Sequence, residues 1–395
     1  MGALFRELFS GVVYFASPEG WRTLVMFVIA GLLIYLAIAK DYEPALLLPI
    51  GFGALLANLP PTIDGMAAVL GQEAAPGFLK VLFDAGIATE LFPILIFIAV
   101  GAMIDFTPLL KNPVMIFFGA AAQFGIFVTF LATLALLPRL GVTGDLALRL
   151  AAAVGIIGAA DGPTTIYVAN HFQLKDYLGP ISVAAYSYMS LVPIIQPPVI
   201  RALTSRKERL IRMEYTEVKV SRPIRILFPI AITLIAGVIV PMSAPLVGSL
   251  MFGNLIRECG VLKKLSQAAQ NELASLVTLL LGLTIGSTMV GASFIRWDTA
   301  LILLLGLVAF VFDTAGGVLF AKFINLFLKK KVNPMIGAAG ISAFPMSARV
   351  VQRMATAEDP TNFILMPATS ANVAGQLGSI VAGGLVIQLV ALLIH

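Results

Sequence analysis

The chain has 395 residues, of which 59% are hydrophobic and only 12% are charged, and its mean hydropathy is +0.97. A soluble domain has about 45–50% apolar and about 25% charged residues, so this composition excludes a soluble fold and predicts a multi-pass membrane protein. The net charge of +5 is typical of basic cytoplasmic loops and gives no reason to expect nucleic-acid binding, while the one cysteine, Cys259, excludes an intramolecular disulfide.

The first predicted element is an amphipathic helix within residues 1–22, which lacks the cleavage site of a signal peptide. Apolar runs of about 18 residues count as spanning candidates once their flanks are added. The clearest apolar cores are residues 23–39, 92–103, 114–137, 181–200, 226–240, 274–290, 299–320 and 364–394. The last of these is long enough for a broken span or for two short spans.

Three further apolar runs are interrupted. Residues 45–59 end at two prolines, residues 148–168 contain Asp161-Gly162-Pro163, and residues 337–351 contain Gly340, Pro345 and Arg349. Glycine and proline at membrane depth free backbone groups that lipid cannot satisfy, so such breaks occur only inside protein or beside a watery cavity. They are the best pointer in a sequence to a transport site.

The orientation is predicted by three basic clusters. Residues 201–225 contain eight Lys or Arg residues, and residues 263–264 and 329–331 are all lysine. The positive-inside rule places all three in the cytoplasm of a protein embedded in the cell inner membrane. The long basic loop either serves orientation alone or also docks a soluble partner.

An internal repeat links two of the interrupted runs. Gly155, Gly158 and Pro163 recur as Gly337, Gly340 and Pro345 at a constant offset, so residues 91–172 resemble residues 276–355. A chance match of small residues is the alternative. We therefore expect an all-α polytopic fold with about 9–11 membrane segments and two repeat-related broken or re-entrant units, inverted as in secondary transporters. The predicted division is residues 23–90, a first repeat 91–200, the basic loop 201–225, a connection 226–275 and a second repeat 276–395.

Asp161 is the strongest single feature of the sequence. A carboxylate in an apolar segment costs at least about 2.5–3.5 kcal/mol on insertion scales, so an intramembrane acid is a functional-site candidate. The Gly-Pro break beside it should expose carbonyl oxygens, and Thr164 and Thr165 add hydroxyl oxygens. This set of oxygen atoms suits Na⁺, although a buried structural pair is the alternative.

Other polar residues lie near the breaks. Ser342 aligns with the region of Asp161 in the repeat, and Arg349 either holds a carboxylate in bidentate fashion or snorkels to the surface. Asn372 supplies an amide oxygen, and Tyr186 and Tyr188 face either a cavity or the interface. Asp313 is a further candidate ion ligand.

Several motifs are absent from the sequence. It contains no phosphate-binding loop, no His-Glu-x-x-His and no Gly-x-Ser-x-Gly, which leaves ATP hydrolysis, metalloprotease and serine hydrolase activity without support. The Met-Lys-Met pattern of biotin attachment is also absent. If biotin takes part, it arrives on another polypeptide.

Five motifs together resemble the β subunits of the sodium-pumping oxaloacetate, methylmalonyl-CoA and glutaconyl-CoA decarboxylases. The motifs are GAADGPT (158–164), AAYSYMSLVPIIQPP (184–198), NPMIG (333–337), SAFPMSARV (342–350) and DPTNF (359–363). The resemblance implies that the chain decarboxylates carboxybiotin, consumes a proton and exports Na⁺. It also implies partners: a soluble carboxyltransferase α subunit, a biotin carrier domain or subunit, a small γ or δ membrane subunit, further copies of the chain, and lipid.

The resemblance carries the family's functional residues onto this sequence, where all of them match. It implies catalysis by Asp161, Tyr188 and Arg349, and contact with carboxybiotin by Arg349, Tyr188 and Ser342. The expected Na⁺ ligands are Asp161, Asn333, Gly337, Ser342 and Asn372, of which Asn372 comes from the residue pattern alone. Two other functions stay open: a Na⁺-coupled secondary transporter of an organic anion, and a non-catalytic membrane scaffold.

Overall fold

A computed structural model describes residues 10–15, 17, 20–60, 77–213 and 220–394, and every secondary-structure element within these ranges is a helix. Helices satisfy their own backbone groups, as lipid requires. The first helix among the described residues is a short one, Ser10–Tyr14. Most of the predicted N-terminal amphipathic helix and residues 214–219 of the basic loop lie outside the described residues.

The following helices carry the numbering used below. They are α1 (Gly20–Lys40), α2 (Pro44–Ala57), α3 (Phe78–Ile87), α4 (Leu91–Met103), α5 (Thr107–Lys111), α6 (Met115–Leu140), α7 (Gly144–Ile156), α8 (Gly162–His171), α9 (Lys175–Leu203), α10 (Arg206–Arg209), α11 (Arg222–Ile239), α12 (Ala244–Glu258), α13 (Lys263–Ser287), α14 (Gly291–Phe294), α15 (Trp297–Ile324), α16 (Met335–Ala338), α17 (Met346–Glu358) and α18 (Leu365–Ile394).

Seven of the described helices are long and apolar enough to cross a membrane, and the pair α3 and α4, bent by 63°, makes an eighth candidate. The seven are α1, α6, α9, α11, α13, α15 and α18. The all-α polytopic prediction is therefore confirmed. The expectation of a break in the last apolar run was wrong, because α18 is one helix of 30 residues. Its glycines allow close contact with neighbouring backbone and do not interrupt the helix: a Cβ on Gly375 would collide with the carbonyl of Gly340.

Residues 333–362 form a hairpin that enters and leaves at one end of the bundle. The side-chain amides of Asn333 and Asn362 both donate to the carbonyl oxygens of Arg209 and Ile211, at 2.9 Å for Asn333 and 3.4 Å for Asn362. Both ends of this second hairpin therefore lie against the basic loop. We call this end of the bundle the basic face.

Residues 144–171 form a first hairpin at the other end. Val142 before the hairpin and Tyr177 after it line one cavity together with Arg296 and Trp297, where α15 begins. The other end of α15 is at the basic face, since Lys322 Nζ donates to the carbonyl of Leu203 at 3.0 Å. The first hairpin therefore opens towards what we call the opposite face, marked by Arg296 and Trp297.

The tips of the two hairpins meet. The backbone N–H of Ser342 donates to the carbonyl oxygen of Ala159 at 3.0 Å. α18 runs past both tips, because Asn372 Nδ2 donates to the Ile341 carbonyl at 2.7 Å and Gly383 packs against the Thr164 methyl group. The two broken runs of the sequence are thus brought together and supported by one helix.

Helix packing between the halves is reciprocal. α2 packs along α13 and α12 packs along α4, while α9 packs along α15 and α18 along α6. If α2, α4, α6 and α9 correspond to α12, α13, α15 and α18, the packing of α2 on α13 repeats as that of α12 on α4, and the packing of α9 on α15 repeats as that of α18 on α6. This is the pattern that a two-fold relation between the halves produces. The inversion of the repeats stays a prediction.

Candidate functional site

Asp161 is the N-cap residue of α8, at the tip of the first hairpin. The preceding residue, Ala160, has a left-handed backbone with φ of 51°, which turns the chain sharply, and Pro163 follows in the first turn of the helix. Asp161 Oδ1 accepts the N–H of Thr164 at 3.2 Å, so the carboxylate caps the helix. Only 3% of the residue is exposed. The prediction that this carboxylate is buried is confirmed, and its role as a site residue stays a prediction.

The other carboxylate oxygen of Asp161 faces α18. Ser379 Oγ donates to Oδ2 at 2.7 Å, and Gln376 Nε2 lies 3.5 Å from the same oxygen. No lysine or arginine among the described residues forms an ion pair with Asp161. Among the described residues the carboxylate is therefore stabilised only by neutral hydrogen-bond donors. Its negative charge is not neutralised and is available to a bound cation.

Ser379 and Gln376 were missed by the sequence interpretation, although a signal was present. Asn372, Gln376 and Ser379 follow one another at spacings of four and three along an apolar helix. Residues at these spacings share one face of a helix, so the three side chains mark a polar stripe. That stripe is the surface of α18 that contacts both hairpin tips.

A cavity of about 580 Å³ ends at Asp161. Its walls at the tips are Gly162, Ser342 and Gln376, and its walls at the other end include Glu43 and Gln270. Glu43 precedes α2, whose far end is at the opposite face, since Asn58 Nδ2 donates to the carbonyl of Met289 after α13. The cavity therefore runs from the basic face to the buried carboxylate.

Two further oxygen atoms near the tips have no hydrogen-bond partner among the described residues. They are Thr164 Oγ1 and Asn372 Oδ1, both buried. The amide of Asn372 is fixed by its bond to Ile341, so its free oxygen has a defined position, and Ser342 Oγ is 3.0 Å from the carbonyl of Gly375. Buried oxygen atoms without partners are rare in native proteins. With Asp161 they offer the hard oxygen ligands that small cations bind.

The two tyrosines of the AAYSYM motif have different surroundings. Tyr186 lines the cavity and packs directly on Gly162, and its hydroxyl has no partner among the described residues. The hydroxyl of Tyr188 donates to the carbonyl of Leu303 on α15, and Tyr188 does not line the cavity. The structure thus brings Tyr186 to Asp161, while the predicted catalytic role of Tyr188 stays a prediction.

Arg349 lies near the mouth of the cavity. It occupies the first turn of α17 and is exposed. Burial raises the pKa of Glu43 in the turn before α2, and the positive charge of Arg349 acts on the same carboxyl in the lowering direction. Because Glu43 lines the cavity, the guanidinium is close to the route by which an anion would enter from the basic face.

Asn333 and Gly337 have neighbours other than those we expected of Na⁺ ligands. Asn333 does not line the cavity; its amide donates to the basic loop and its Oδ1 accepts the N–H of Met335 at 3.1 Å. Gly337 allows the second hairpin to touch α15, because a Cβ there would collide with the carbonyl of Gly317. Their contacts in this structure hold the second hairpin in place, and their role as ligands stays a prediction.

The fold and the site together define a class. Spanning helices around two hairpins that meet at a buried carboxylate, with a cavity leading to it, are the features of a multi-pass α-helical protein that moves small ions. A family described as the Na⁺-transporting oxaloacetate decarboxylase beta subunit matches residues 22–390. The chain belongs to this family.

Three relatives illustrate the similarity. The methylmalonyl-CoA decarboxylase subunit beta of Propionigenium modestum is 46% identical over 382 residues, covering 93% of this chain and 94% of the relative. The glutaconyl-CoA decarboxylase subunit beta of Acidaminococcus fermentans is 45% identical and covers 96% of both chains. The oxaloacetate decarboxylase beta chain 2 of Salmonella typhi is 44% identical, covering 93% of this chain and 94% of the relative.

Proposed function

We propose that the chain decarboxylates carboxybiotin, which a partner subunit delivers to the basic face, and couples this reaction to export of Na⁺. The observation that carries the proposal is Asp161, a buried carboxylate that pairs with no lysine or arginine in the described part of the chain and lies at the end of a cavity that opens towards that face. Family membership supports the decarboxylase and sodium-transport parts of the proposal. The basic face is then cytoplasmic, in agreement with the positive-inside rule.

Arg349 and the cavity supply a path for the anion. The exposed guanidinium at the mouth attracts the negatively charged head of carboxybiotin, and an arginine can hold a carboxylate through two parallel hydrogen bonds. The cavity walls between the mouth and Asp161 are largely apolar, with Leu46, Ile96 and Phe97 among them. A carboxylate that leaves water for such surroundings is destabilised, which favours loss of CO₂. Tyr186 and Tyr188 are the phenols from which the required proton could come.

Na⁺ binds at Asp161 in this proposal. Its ligands are the carboxylate and the free oxygen atoms of Thr164 and Asn372, with Ser342 beside them. A bound Na⁺ stabilises ionised Asp161, and a proton competes with it. Moving one charge against the membrane potential costs about 2.3 kcal/mol per 100 mV, so decarboxylation has to drive the exchange of access between the two faces.

We infer that the two halves are inverted repeats. The support is that the first hairpin opens towards the opposite face and the second towards the basic face, and that helix packing between the halves is reciprocal. Inverted hairpins whose tips meet give one site that can be approached from either face. The same symmetry supports the division into two repeats with the basic loop between them.

The basic loop is the proposed docking surface for the soluble carboxyltransferase and its biotin carrier. Arg209 and Arg212 hold the loop on the second hairpin through Glu358 and Asp359, at 2.7 and 2.6 Å. Arg206 remains 75% exposed at its side chain. Exposed positive charge on the basic face suits an acidic partner that brings an anionic group.

The test is Na⁺-dependent decarboxylation and ²²Na⁺ uptake by the complex reconstituted in vesicles. Asp161→Asn should abolish the Na⁺ dependence and the uptake, because the amide cannot neutralise a bound cation. Asp145→Asn is the matched control, since Asp145 is an exposed acid at the start of α7 in the same hairpin. Unchanged Na⁺ dependence in Asp161→Asn would sink the site assignment. Na⁺ uptake with an organic anion and without decarboxylation would instead favour secondary transport.

A further inference from the structure

A second buried carboxylate has no part in the function proposed above. Asp313 lies in the middle of α15 and is completely buried. α6 is interrupted at Gln123, and Asp313 Oδ1 accepts the N–H of Ile126 at 3.1 Å and also bonds the N–H of Gly125. It therefore caps the second part of α6, where the helix dipole stabilises a negative charge.

The other oxygen of Asp313 is not used in this way. Oδ2 has no hydrogen-bond partner among the described residues, and no lysine or arginine there forms an ion pair with the carboxylate. Oδ2 lies against Gly158 at the end of α7, where a Cβ would be only 2.7 Å from it. One carboxylate oxygen is thus held by the protein while the second is left open beside the first hairpin.

Two threonine hydroxyls further along α6 also lack hydrogen-bond partners among the described residues. Thr129 and Thr133 are completely buried, and neither hydroxyl has a partner among the described residues. Helical threonines normally bond the carbonyl four residues earlier, as Thr284 does to Leu280 at 2.6 Å. The backbone N–H of Ile126 contacts Asp313. Thr129 and Thr133 lie about one and two turns beyond Ile126 on the same helix.

The row of oxygen atoms ends in a second cavity. This cavity of about 700 Å³ is lined by Thr133 and, at the opposite face, by Tyr177, Arg296 and Asp298. α15 runs antiparallel to α6, so its residues Leu305 and Ile302 line the cavity beside Thr133. The cavity shares no residue with the one that ends at Asp161. Of Asp313, Thr129 and Thr133, Thr133 alone lines this cavity, so Thr133 lies between the opposite face and the more deeply placed Thr129 and Asp313.

We propose that Asp313 and Thr129 form a second Na⁺ site, separate from Asp161 and reached from the opposite face past Thr133, which lies about one turn further along α6. Carboxylate and hydroxyl oxygens are suitable ligands for a small hard cation, and buried oxygen atoms without partners call for an ion or water. A proton would need only Asp313. The hydroxyls at successive turns provide the extra oxygen atoms that a partly dehydrated Na⁺ requires on its way to the cavity.

The experiment measures Na⁺ binding to the full-length protein in its complex, with ²²Na⁺ alone as the probe and no decarboxylation substrate. Asp161→Asn should keep saturable Na⁺ binding, and the double variant Asp161→Asn with Asp313→Asn should lose it. Residual binding that is the same in both variants overturns the proposal. Loss of all binding in Asp161→Asn alone also overturns it and assigns Asp313 to a proton or to structure.

A second pair of variants covers the case in which Asp313→Asn fails to fold. Thr129→Val with Thr133→Val keeps the shape and the charge, and in the Asp161→Asn background it should weaken the residual Na⁺ binding by roughly tenfold, equivalent to about 1.4 kcal/mol. Thr284→Val is the matched control, because that hydroxyl is bonded within its own helix. An equal effect of both changes would contradict the site. If the function proposed at Asp161 is wrong, Asp161→Asn should bind Na⁺ as the wild type does. This outcome differs from those that overturn the site at Asp313.

Discussion

Replacement of Ser379 by alanine tests the Asp161 site through a residue of α18. Ser379 Oγ donates to Asp161 Oδ2 at 2.7 Å in buried surroundings. A hydrogen bond to a charged group contributes about 1.5–3 kcal/mol, and this one stabilises the ionised carboxylate. Na⁺ binds the ionised form and a proton binds in competition, so Ser379→Ala should weaken apparent Na⁺ affinity by about 10- to 150-fold where the proton competes.

The assay is the Na⁺ concentration that gives half-maximal decarboxylation by the reconstituted complex, measured across a range of pH. The difference in half-maximal Na⁺ concentration between Ser379→Ala and wild type should increase as the pH falls. It should disappear at high pH, where Asp161 is ionised in both proteins. Ser370→Ala is the control, because Ser370 is a buried serine of the same helix whose hydroxyl bonds Met366 at 3.0 Å.

Two results would refute the reasoning. A half-maximal Na⁺ concentration within about twofold of wild type at every pH would mean that the hydrogen bond contributes less than about 0.5 kcal/mol. An equal shift in Ser370→Ala would mean that loss of any buried hydroxyl from α18 disturbs the site. In either case Ser379 would not set the balance between Na⁺ and the proton.

Gly162→Ala should lower both the melting temperature and the activity, because its Cβ would collide with the ring of Tyr186, whereas Gly31→Ala in an open position should leave both unchanged. Differential scanning fluorimetry checks the pair. Thr361 and Arg212 lower the pKa of Asp359 to about 2, so the contact of Asp359 with Arg212 should persist at pH 4 and be lost only as the pH falls towards 2. Hydrogen exchange of residues 204–213 at pH 4 should therefore be faster in Asp359→Asn than in wild type; equal rates would contradict the contact.

Most of the fold could be predicted from the composition and from the Gly-Pro breaks. Lipid leaves helices as the only way to span with internal hydrogen bonds, so a strongly apolar chain of this length had to be a helical bundle. The breaks at Asp161 and Pro345 marked the hairpins for the same reason, because irregular backbone at membrane depth has to be covered by protein. The face from which each hairpin enters depended on contacts between distant residues, such as Asn333 with Arg209, which no local pattern encodes.

The place of the short helix α2 was harder to predict than that of the long spans. α2 has only 14 residues and contains Pro49, yet it packs along α13. Gly53 and Gly286 permit that contact, since a Cβ on either would collide with the backbone of the other helix. A short apolar helix is indistinguishable by sequence from an interfacial segment. Its place is decided by the partner helix and not by its own length.

The tyrosine pair shows where residue patterns lose their power at the site itself. Tyr186 and Tyr188 are two residues apart on one helix, so their side chains point about 200° apart and cannot both face Asp161. Hydropathy does not distinguish the two residues, because both are tyrosines with polar neighbours in the sequence. Both are also buried in the structure. What selects Tyr186 is the absence of a side chain at Gly162, which lets the ring pack directly on the first turn of α8. Tyr188 instead meets Gly306 and the carbonyl of Leu303 on α15. In this structure Tyr188 thus contacts α15, the helix that carries Asp313, and its catalytic role stays a prediction.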